Sequence, residues 1–131
     1  MTQKARRRGW LDRVGVKGAF MKRMTKKTLS QMVEAIVREV DPEQVYLFGS
    51  RATGRADDDS DVDLLIVERD PFGGQRNRWQ ELRRIRRALS SFRIPKDILV
   101  YSRDEFTHWK GSLNHIVGVC RREGRLLYES A

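Results

Sequence analysis

Apolar residues recur at intervals of three and four between residues 28 and 40, the spacing that places them along one face of a helix. The members of this stripe are Leu29, Met32, Val33, Ile36, Val37 and Val40. Asp41-Pro42 follows, and a proline in this place ends a helix. The pattern therefore predicts a helix over residues 28–40 with one face in the core.

Four short runs rich in β-branched or aromatic residues are typical of β-strands. They cover Gln44 to Phe48, Val62 to Val67, Asp97 to Tyr101 and Arg125 to Tyr128. The second run is apolar at both odd and even positions, so both faces of that strand are expected to be covered. A Pro-Phe-Gly-Gly sequence at residues 71–74 predicts the turn that follows it.

Two further helical patterns lie between and after these strands. The first consists of Trp79, Leu82, Ile85, Leu89 and Phe92, and Pro95 is expected to close it. Arginines at positions 83, 84, 86 and 87 fall on the other faces and are interpreted as solvent-exposed. Ser102 and Glu105 have the spacing of a capping box that opens another helix. Its stripe continues through Leu113, Ile116, Val117 and Cys120 to about Glu123.

The predicted order is helix, strand, strand, helix, strand, helix, strand. A chain of 131 residues has room for one core. We therefore expect an α+β domain in which one mixed β-sheet of about four strands is covered by helices.

The composition narrows the class of protein. Hydrophobic residues make up 39% and charged residues 34% of the chain, which is typical of a water-soluble globular protein. The longest apolar runs, such as Leu64 to Val67, fall far short of the roughly 20 residues of a membrane span, so no membrane association is expected. A single cysteine, Cys120, suits a reducing compartment, and we expect a cytoplasmic protein.

The formal net charge of +9 is concentrated in one segment, because residues 1–27 hold ten Lys or Arg and one acidic residue. We interpret residues 1–24 as a basic, flexible N-terminal extension and residues 25–131 as the folded domain. Three interpretations of the extension stay open. It is a solvated tail, an electrostatic contact for RNA, DNA or an acidic partner, or a segment upstream of a natural start at Met21 or Met24.

The first candidate for chemistry is the turn that follows the first strand. Gly49 lets the backbone approach a ligand closely. Ser50 offers a hydroxyl and a main-chain N–H at what the pattern predicts to be the start of a short helical turn. This turn is suited to the phosphates of a nucleoside triphosphate.

The second candidate is a pair of carboxylates. Asp61 and Asp63 are two residues apart in a strand, so both side chains leave the same face, roughly 6.5 Å apart along the backbone. Crowded carboxylates repel each other unless a cation offsets their charge, and oxygen ligands of this kind suit magnesium. The pair therefore indicates a metal site.

Asp97 is a third carboxylate and begins the next predicted strand. If that strand pairs beside the second one, its side chain reaches the same pocket. Three acids would then surround two Mg²⁺ ions about 4 Å apart, which stabilise the attacking and leaving oxygens of an in-line displacement at phosphorus. Asp97 would orient and deprotonate the acceptor hydroxyl.

Other reactive residues are interpreted as structural. His108 and His115 lie on one predicted helical region, without the further His or Cys that a zinc site needs. Cys120 falls on the apolar stripe and is expected in the core. Trp79 and Trp109 are expected to be packing anchors, with a protein interface as the alternative.

The segment after Ser50 contains two further groups of charged residues. The acids Asp57, Asp58 and Asp59 are interpreted as solvated and are left out of the site. Arg51 and Arg55 lie near enough in sequence to contact phosphates, and Arg51 is kept as a candidate nucleotide-binding residue.

In its motifs the chain resembles the minimal nucleotidyltransferases of the DNA polymerase beta superfamily. Their signature is Gly-Ser, ten intervening residues and Asp-x-Asp, and Gly49-Ser50 and Asp61-Val62-Asp63 have this spacing. The resemblance runs from about Thr25 to Glu129. It includes the preceding helix, the Gly-Ser-Arg-Ala-x-Gly form of the turn and the phrase Glu-Gly-x-x-Leu-Tyr-Glu at residues 123–129.

This resemblance implies the nucleotidyltransferase fold and a role for each matching residue. Gly49 and Ser50 would hold the NTP phosphates, Asp61 and Asp63 would bind magnesium, and Asp97 would complete the catalytic trio. Many members are encoded beside a HEPN-domain protein and act as antitoxins that adenylylate a tyrosine on it. The resemblance therefore implies ATP as the substrate and a HEPN-domain protein as the partner.

Our main interpretation is a magnesium-dependent transferase that moves AMP from ATP to a hydroxyl on a partner protein, because a domain of this size leaves no room for a second, acceptor-binding domain. The acceptor is brought in, or the protein forms a homo- or hetero-oligomer. One alternative is that the acceptor is an RNA 3′ end recruited by the basic extension. This alternative predicts that the activity falls steeply as the salt concentration rises. Another is a non-catalytic module that neutralises a partner by contact, although an idle site would not need an intact Gly-Ser and three acids.

Overall fold

The computed structural model describes residues 25–54 and 61–131. Within these residues the chain forms nine elements. They are α1 (Lys26–Val40), β1 (Gln44–Phe48), α2 (Ser50–Thr53), β2 (Val62–Glu68), α3 (Arg78–Ala88), β3 (Lys96–Ser102), α4 (Arg103–Trp109), α5 (Ile116–Glu123) and β4 (Arg125–Glu129). The predicted extension at residues 1–24, and the loop residues Arg55, Asp57, Asp58 and Asp59, lie outside the described residues.

Helix α1 confirms the first predicted helix, and both of its ends have a local cause. The Thr25 side chain accepts a hydrogen bond from the backbone N–H of Thr28, which caps the N-terminus. Asp41 takes a left-handed conformation, with φ of 47°, and its N–H donates to the carbonyl of Val37. Pro42 then prevents a further turn.

The sheet confirms the predicted mixed arrangement of four strands, in the order β3-β2-β1-β4. Strand β1 is antiparallel to β2 and to β4, and β2 is parallel to β3. A parallel pair needs a crossover connection, and α3 provides it. The N-terminal ends of β2 and β3 therefore lie side by side, next to the C-terminal end of β1.

Both faces of the sheet are covered, as the uninterrupted apolar run of β2 predicts. On one face, the even-numbered residues of β2 pack with α1 and α3 in a cluster that includes Met32, Ile36, Val62, Leu64, Ile66, Ile85 and Ile98. On the other face, the odd-numbered residues pack with α4 and α5 in a cluster formed by Tyr46, Leu65, Val67, Phe106, Val117 and Cys120. The sheet is thus the middle layer of the domain.

Helix α3 is shorter than predicted, because it ends at Ala88 and not near Pro95. After Leu89 the chain tightens, and the N–H groups of Ser90 and Phe92 bond to carbonyls three residues back. Two serines at positions 90 and 91 favour such a turn over a further helical turn. Phe92 keeps its place beside the core although it has left the helix.

The helix predicted from Ser102 to about Glu123 is wrong in one respect, because two helices occupy this stretch. The capping box of Ser102 and Glu105 opens α4 as expected. The chain then leaves the helix at Lys110, and Leu113, a member of the predicted stripe, is 75% exposed. The His115 side chain accepts the Val117 N–H and caps α5.

Gly118 lets the loop between α4 and α5 pack closely against α5. A Cβ atom at this position of α5 would collide with the carbonyl oxygen of Ser112, so only glycine lets the loop pass this close. Arg122 holds the same loop by donating to the carbonyls of Ser112 and Leu113.

Cys120 and the two histidines make contacts that agree with their predicted structural roles. Cys120 is fully buried, and burial raises the pKa of its thiol to about 12. His115 stacks on Trp109 and His108 meets the same ring edge-on. Trp79, predicted to be a packing anchor, is instead 65% exposed. No helix within residues 25–54 and 61–131 has the length and apolar character that crossing a membrane requires.

Candidate active site

The turn after β1 has the conformation that a phosphate-binding turn needs. Gly49 follows the last residue of β1 with φ of 75°, a left-handed value that side-chain-bearing residues rarely adopt. Helix α2 starts directly afterwards at Ser50, which confirms the predicted short helical turn. The first N–H groups of any helix have no partner inside it, so they point outward from this turn.

Gly49 also lies against the carboxylate of Asp63. A Cβ atom at position 49 would collide with Oδ2 of Asp63 and would come within 3.2 Å of its Cγ. Antiparallel pairing of Phe48 with Asp63 produces this approach, because it brings the end of β1 beside the start of β2. Two separate constraints therefore require glycine at position 49.

Asp63 and Asp97 are direct neighbours in the parallel register of β2 and β3. Neighbouring strands are about 4.8 Å apart and paired residues point to the same face. The two carboxylates therefore leave the sheet side by side, although 33 residues separate them in the sequence. The predicted pairing of the third strand beside the second is confirmed.

Asp61 lies one residue before β2, not inside a strand as predicted, and it is exposed. Its carboxylate still acts on the pair electrostatically. Burial raises the pKa of Asp63, and the negative charges of Asp97 and Asp61 raise it further. The positive charge of Arg51 opposes this shift of the Asp63 pKa.

The donor set fits a hard divalent cation. The described residues contain no group of three His, Cys, Asp or Glu side chains that stands close enough to hold a metal ion. The adjacent carboxylates of Asp63 and Asp97 nevertheless offer only oxygen, and their repulsion is the kind that a bound cation offsets. The ligand set of Asp61, Asp63 and Asp97 therefore stays a prediction that the strand register favours.

Arg78 was not among the predicted site residues, and it lies at the outer edge of β3. Its guanidinium donates to the Val100 carbonyl over 2.7 Å and forms an ion pair with Glu105. In the sequence, Asn77 is a good N-cap residue and indicates that a helix begins at Arg78.

Residues 29–118 match the family described as the nucleotidyltransferase domain, and this range is more than half of the chain. The protein therefore belongs to the nucleotidyltransferase domain family. Its nucleotidyltransferase fold, a mixed four-stranded sheet covered by helices, agrees with that assignment. No curated protein matches the chain significantly.

Solved structures show similar folds. A protein from Sulfolobus solfataricus with the provisional description of nucleotidyltransferase is 25% identical, with a TM-score of 0.56, over 79% of this chain and 78% of that one. A toxin–antitoxin structure with AMP-PNP is 19% identical, with a TM-score of 0.48, over 77% and 73%. A mutant of the toxin–antitoxin pair MntA–HpeT is 16% identical, with the same TM-score and coverage.

Proposed function

We propose that this protein is a magnesium-dependent nucleotidyltransferase that transfers AMP from ATP to a hydroxyl group on a partner protein. The observation that carries the proposal is the register pair of Asp63 and Asp97 beside the left-handed Gly49. Membership of the nucleotidyltransferase domain family supports the same reaction class.

Each candidate residue has a part that its position allows. Gly49 and Ser50 present a turn without a bulky side chain, where the phosphates of the nucleotide bind. Arg51 contributes positive charge beside them. Asp61 and Asp63 would hold magnesium together with Asp97, and bound Mg²⁺ would neutralise the charge that develops on the phosphates.

Asp97 has a second task in this proposal. Its carboxylate accepts the proton of the acceptor hydroxyl while the hydroxyl oxygen attacks the α-phosphorus of ATP. The new oxygen–phosphorus bond forms as the bond to the bridging oxygen breaks, and pyrophosphate leaves with the electron pair of that bond. The products are an adenylylated acceptor and pyrophosphate, so atoms and charges balance.

The described residues form one sheet and its covering helices. We propose that the acceptor hydroxyl belongs to a partner protein that binds to this domain. The motif resemblance suggests a HEPN-domain protein and a toxin–antitoxin setting, which we retain as part of the proposal.

The test incubates the protein with α-labelled ATP, GTP, CTP or UTP and Mg²⁺, with and without co-purified partner protein or a short RNA. The key variant is the double substitution Asp61→Ala, Asp63→Ala. A matched control is Asp104→Ala, which removes an exposed carboxylate of α4 away from the Gly-Ser turn.

We expect label on the partner protein with ATP, for the wild type and the Asp104→Ala variant but not the double variant. Label on RNA instead of protein would replace the protein acceptor with an RNA end. An absence of label with every nucleotide and the partner present would contradict the proposal.

A further inference from the structure

Strand β3 lies at one end of the sheet order, so among the described residues it is hydrogen-bonded to another strand on one side only, to β2. Backbone groups of alternate residues point to the same side of a strand. The Pro95 carbonyl accepts the Val62 N–H and points to β2, whereas the Val100 carbonyl accepts Arg78 on the opposite side. Ile98 shares the parity of Val100, so its N–H and carbonyl face outward.

An apolar groove of about 280 Å³ runs beside this outward edge, between the N-terminal part of α3 and β3. Trp79 and Leu82 line it on the helix side, and residues 98–101 line it on the strand side. Trp79 is one of the most exposed large apolar side chains in the described residues. An open strand edge next to an exposed tryptophan is a combination that suits an added strand.

The helix beside the groove is positively charged. Arg83 and Arg86 follow Trp79 by four and seven residues, so the three side chains share one face of α3. All three are exposed, and none of the described acidic residues pairs with Arg83 or Arg86. The charge of this face complements an acidic ligand.

The open edge leads to the candidate active site. Ile98 is the residue after Asp97, so a strand paired with Ile98 would pass about 5 Å from the backbone of Asp97. A side chain of that added strand could therefore bring a hydroxyl to the Asp97 carboxylate. Arg78 occupies the Val100 carbonyl and limits the pairing at the other end.

We propose that the outer edge of β3 binds the acceptor protein by strand addition, with an extended acidic segment paired to Ile98 and an apolar side chain seated against Trp79. This inference rests on the proposed function, because it names the surface that holds the acceptor beside Asp97. Main-chain hydrogen bonds supply affinity in this binding mode, and the groove and the arginines select the side chains.

The experiment uses a fluorescein-labelled octapeptide of alternating glutamate and valine that ends in tyrosine. Two matched peptides carry lysine in place of glutamate, or N-methyl groups on alternate amides. Fluorescence anisotropy without nucleotide measures binding, and hydrogen exchange followed by NMR measures the amides of Ile98 and Val100. We expect the glutamate peptide to bind and to slow exchange at these two amides.

The binding-site variant is Trp79→Ala, Arg83→Glu, which changes only exposed residues. The matched control is Leu126→Ala, Arg125→Glu on β4, the strand at the opposite edge of the sheet. We expect the first variant, the lysine peptide and the N-methylated peptide each to weaken binding at least about tenfold, as loss of an anchor residue does at interfaces. The β4 control should bind like the wild type.

Three results would overturn the inference: unchanged exchange at Ile98 and Val100, equal loss of binding in the β4 control, or equal binding of the N-methylated peptide. Analytical ultracentrifugation tests whether a second copy of this chain occupies the β3 edge instead. If the wild type is a dimer that Trp79→Ala, Arg83→Glu makes monomeric, and the peptide protects neither amide, the edge binds a second copy and not an acceptor.

The double variant Asp61→Ala, Asp63→Ala separates this inference from the proposed function. It should bind the peptide like the wild type while transferring no label. Label transfer by the wild type to a partner protein without peptide binding at β3 overturns the strand-addition inference alone. Peptide binding at β3 with no label transfer from any nucleotide overturns the proposed function and leaves β3 as a binding surface.

Discussion

Gly49 is subject to two constraints, a left-handed backbone and the close approach of Asp63. Gly54 offers a comparison, because its φ of 80° is also positive while a Cβ atom there would meet nothing within 4 Å. The pair therefore separates backbone strain from damage to the candidate site.

We expect Gly54→Ala to lower the free energy of unfolding by roughly 1–2 kcal/mol, the cost of a left-handed alanine. Gly49→Ala should lower it by more, because its ψ of −158° lies in a region that glycine alone adopts readily and because its methyl group would collide with Asp63. Only Gly49→Ala should also abolish nucleotide transfer, because its methyl group displaces the Asp63 carboxylate. Urea unfolding and the labelled-ATP assay measure the two effects. Normal transfer by Gly49→Ala would show that this close approach is not needed.

Asp63 is the residue at which stability and activity are expected to conflict. Its pKa is raised by burial and by Asp97 and Asp61, so its ionised form is unfavourable in the folded protein. In the absence of Mg²⁺, Asp63→Asn should therefore raise the melting temperature at neutral pH. Transfer should fall at least about a hundredfold, since a metal ligand supplies several kcal/mol in the transition state.

The pH dependence of Asp63→Asn provides the control. A carboxyl group whose folded pKa is raised makes the protein less stable as pH rises from the unfolded to the folded pKa. The difference in melting temperature between variant and wild type should thus shrink in acid and when Mg²⁺ is added. A variant that is less stable than the wild type at neutral pH would contradict the proposed repulsion.

At the scale of elements, the far end of β2 carries a buried acidic pair. Glu68, 4% exposed, and Glu81 on α3 share Arg76, which lies 2.6 Å from the nearer Glu68 oxygen and 3.7 Å from Glu81. Burial and the hydrogen bond with Glu81 raise the pKa of Glu68 from 4.5 to about 8, and these effects outweigh the attraction of Arg76. Glu68 therefore keeps its proton to a higher pH than an ordinary glutamate does, and Arg76 links it to Glu81 on α3.

We expect the free energy of unfolding to fall as pH rises from about 4.5 to about 8. The folded chain holds a proton in this range that the unfolded chain has released, which gives a slope of at most about 1.4 kcal/mol per pH unit. Glu68→Gln should remove most of this slope and should be more stable than the wild type at pH 9. Urea unfolding from pH 5 to pH 9 measures this slope, and Glu123→Gln, which changes an exposed residue, is the control. An unchanged slope in Glu68→Gln would refute the raised pKa of Glu68.

Most elements could be predicted from the sequence because their signals are local. Short runs rich in β-branched or aromatic residues identified the strands, and the Ser102–Glu105 spacing identified a helix start. A strand beginning with Asp97 predicted the pair with Asp63 if the two strands were neighbours. The order of the strands could not be predicted, because it depends on packing between distant segments. Periodicity also could not reveal the break at Leu113, since an apolar residue keeps the helical spacing whether or not the helix continues.

At the scale of the whole molecule, Cys120 reports on the integrity of the fold, because it is the only cysteine of the chain and is fully buried. Burial raises the pKa of its thiol to about 12, so the reactive thiolate is scarce in the folded protein. Alkylation at pH 8 should be far slower in buffer than in denaturant. Mass spectrometry measures the rate.

ATP with Mg²⁺ should slow that alkylation further, because a ligand that binds only the folded state lowers the unfolded population. The Asp61→Ala, Asp63→Ala variant should lose this protection by ATP. Fast alkylation of the native wild type would contradict the buried position of Cys120 in the core between α5 and the sheet.

The register that pairs Asp63 with Asp97 restricts how the chain can change in length. One residue inserted inside β3 would turn Asp97 to the opposite face and expose half of an apolar strand, because side chains alternate with a period of two. An insertion in the connection between β2 and α3 shifts no strand residue relative to its neighbour. Over evolution, insertions and deletions should therefore accumulate in that connection, while β2 and β3 keep their lengths.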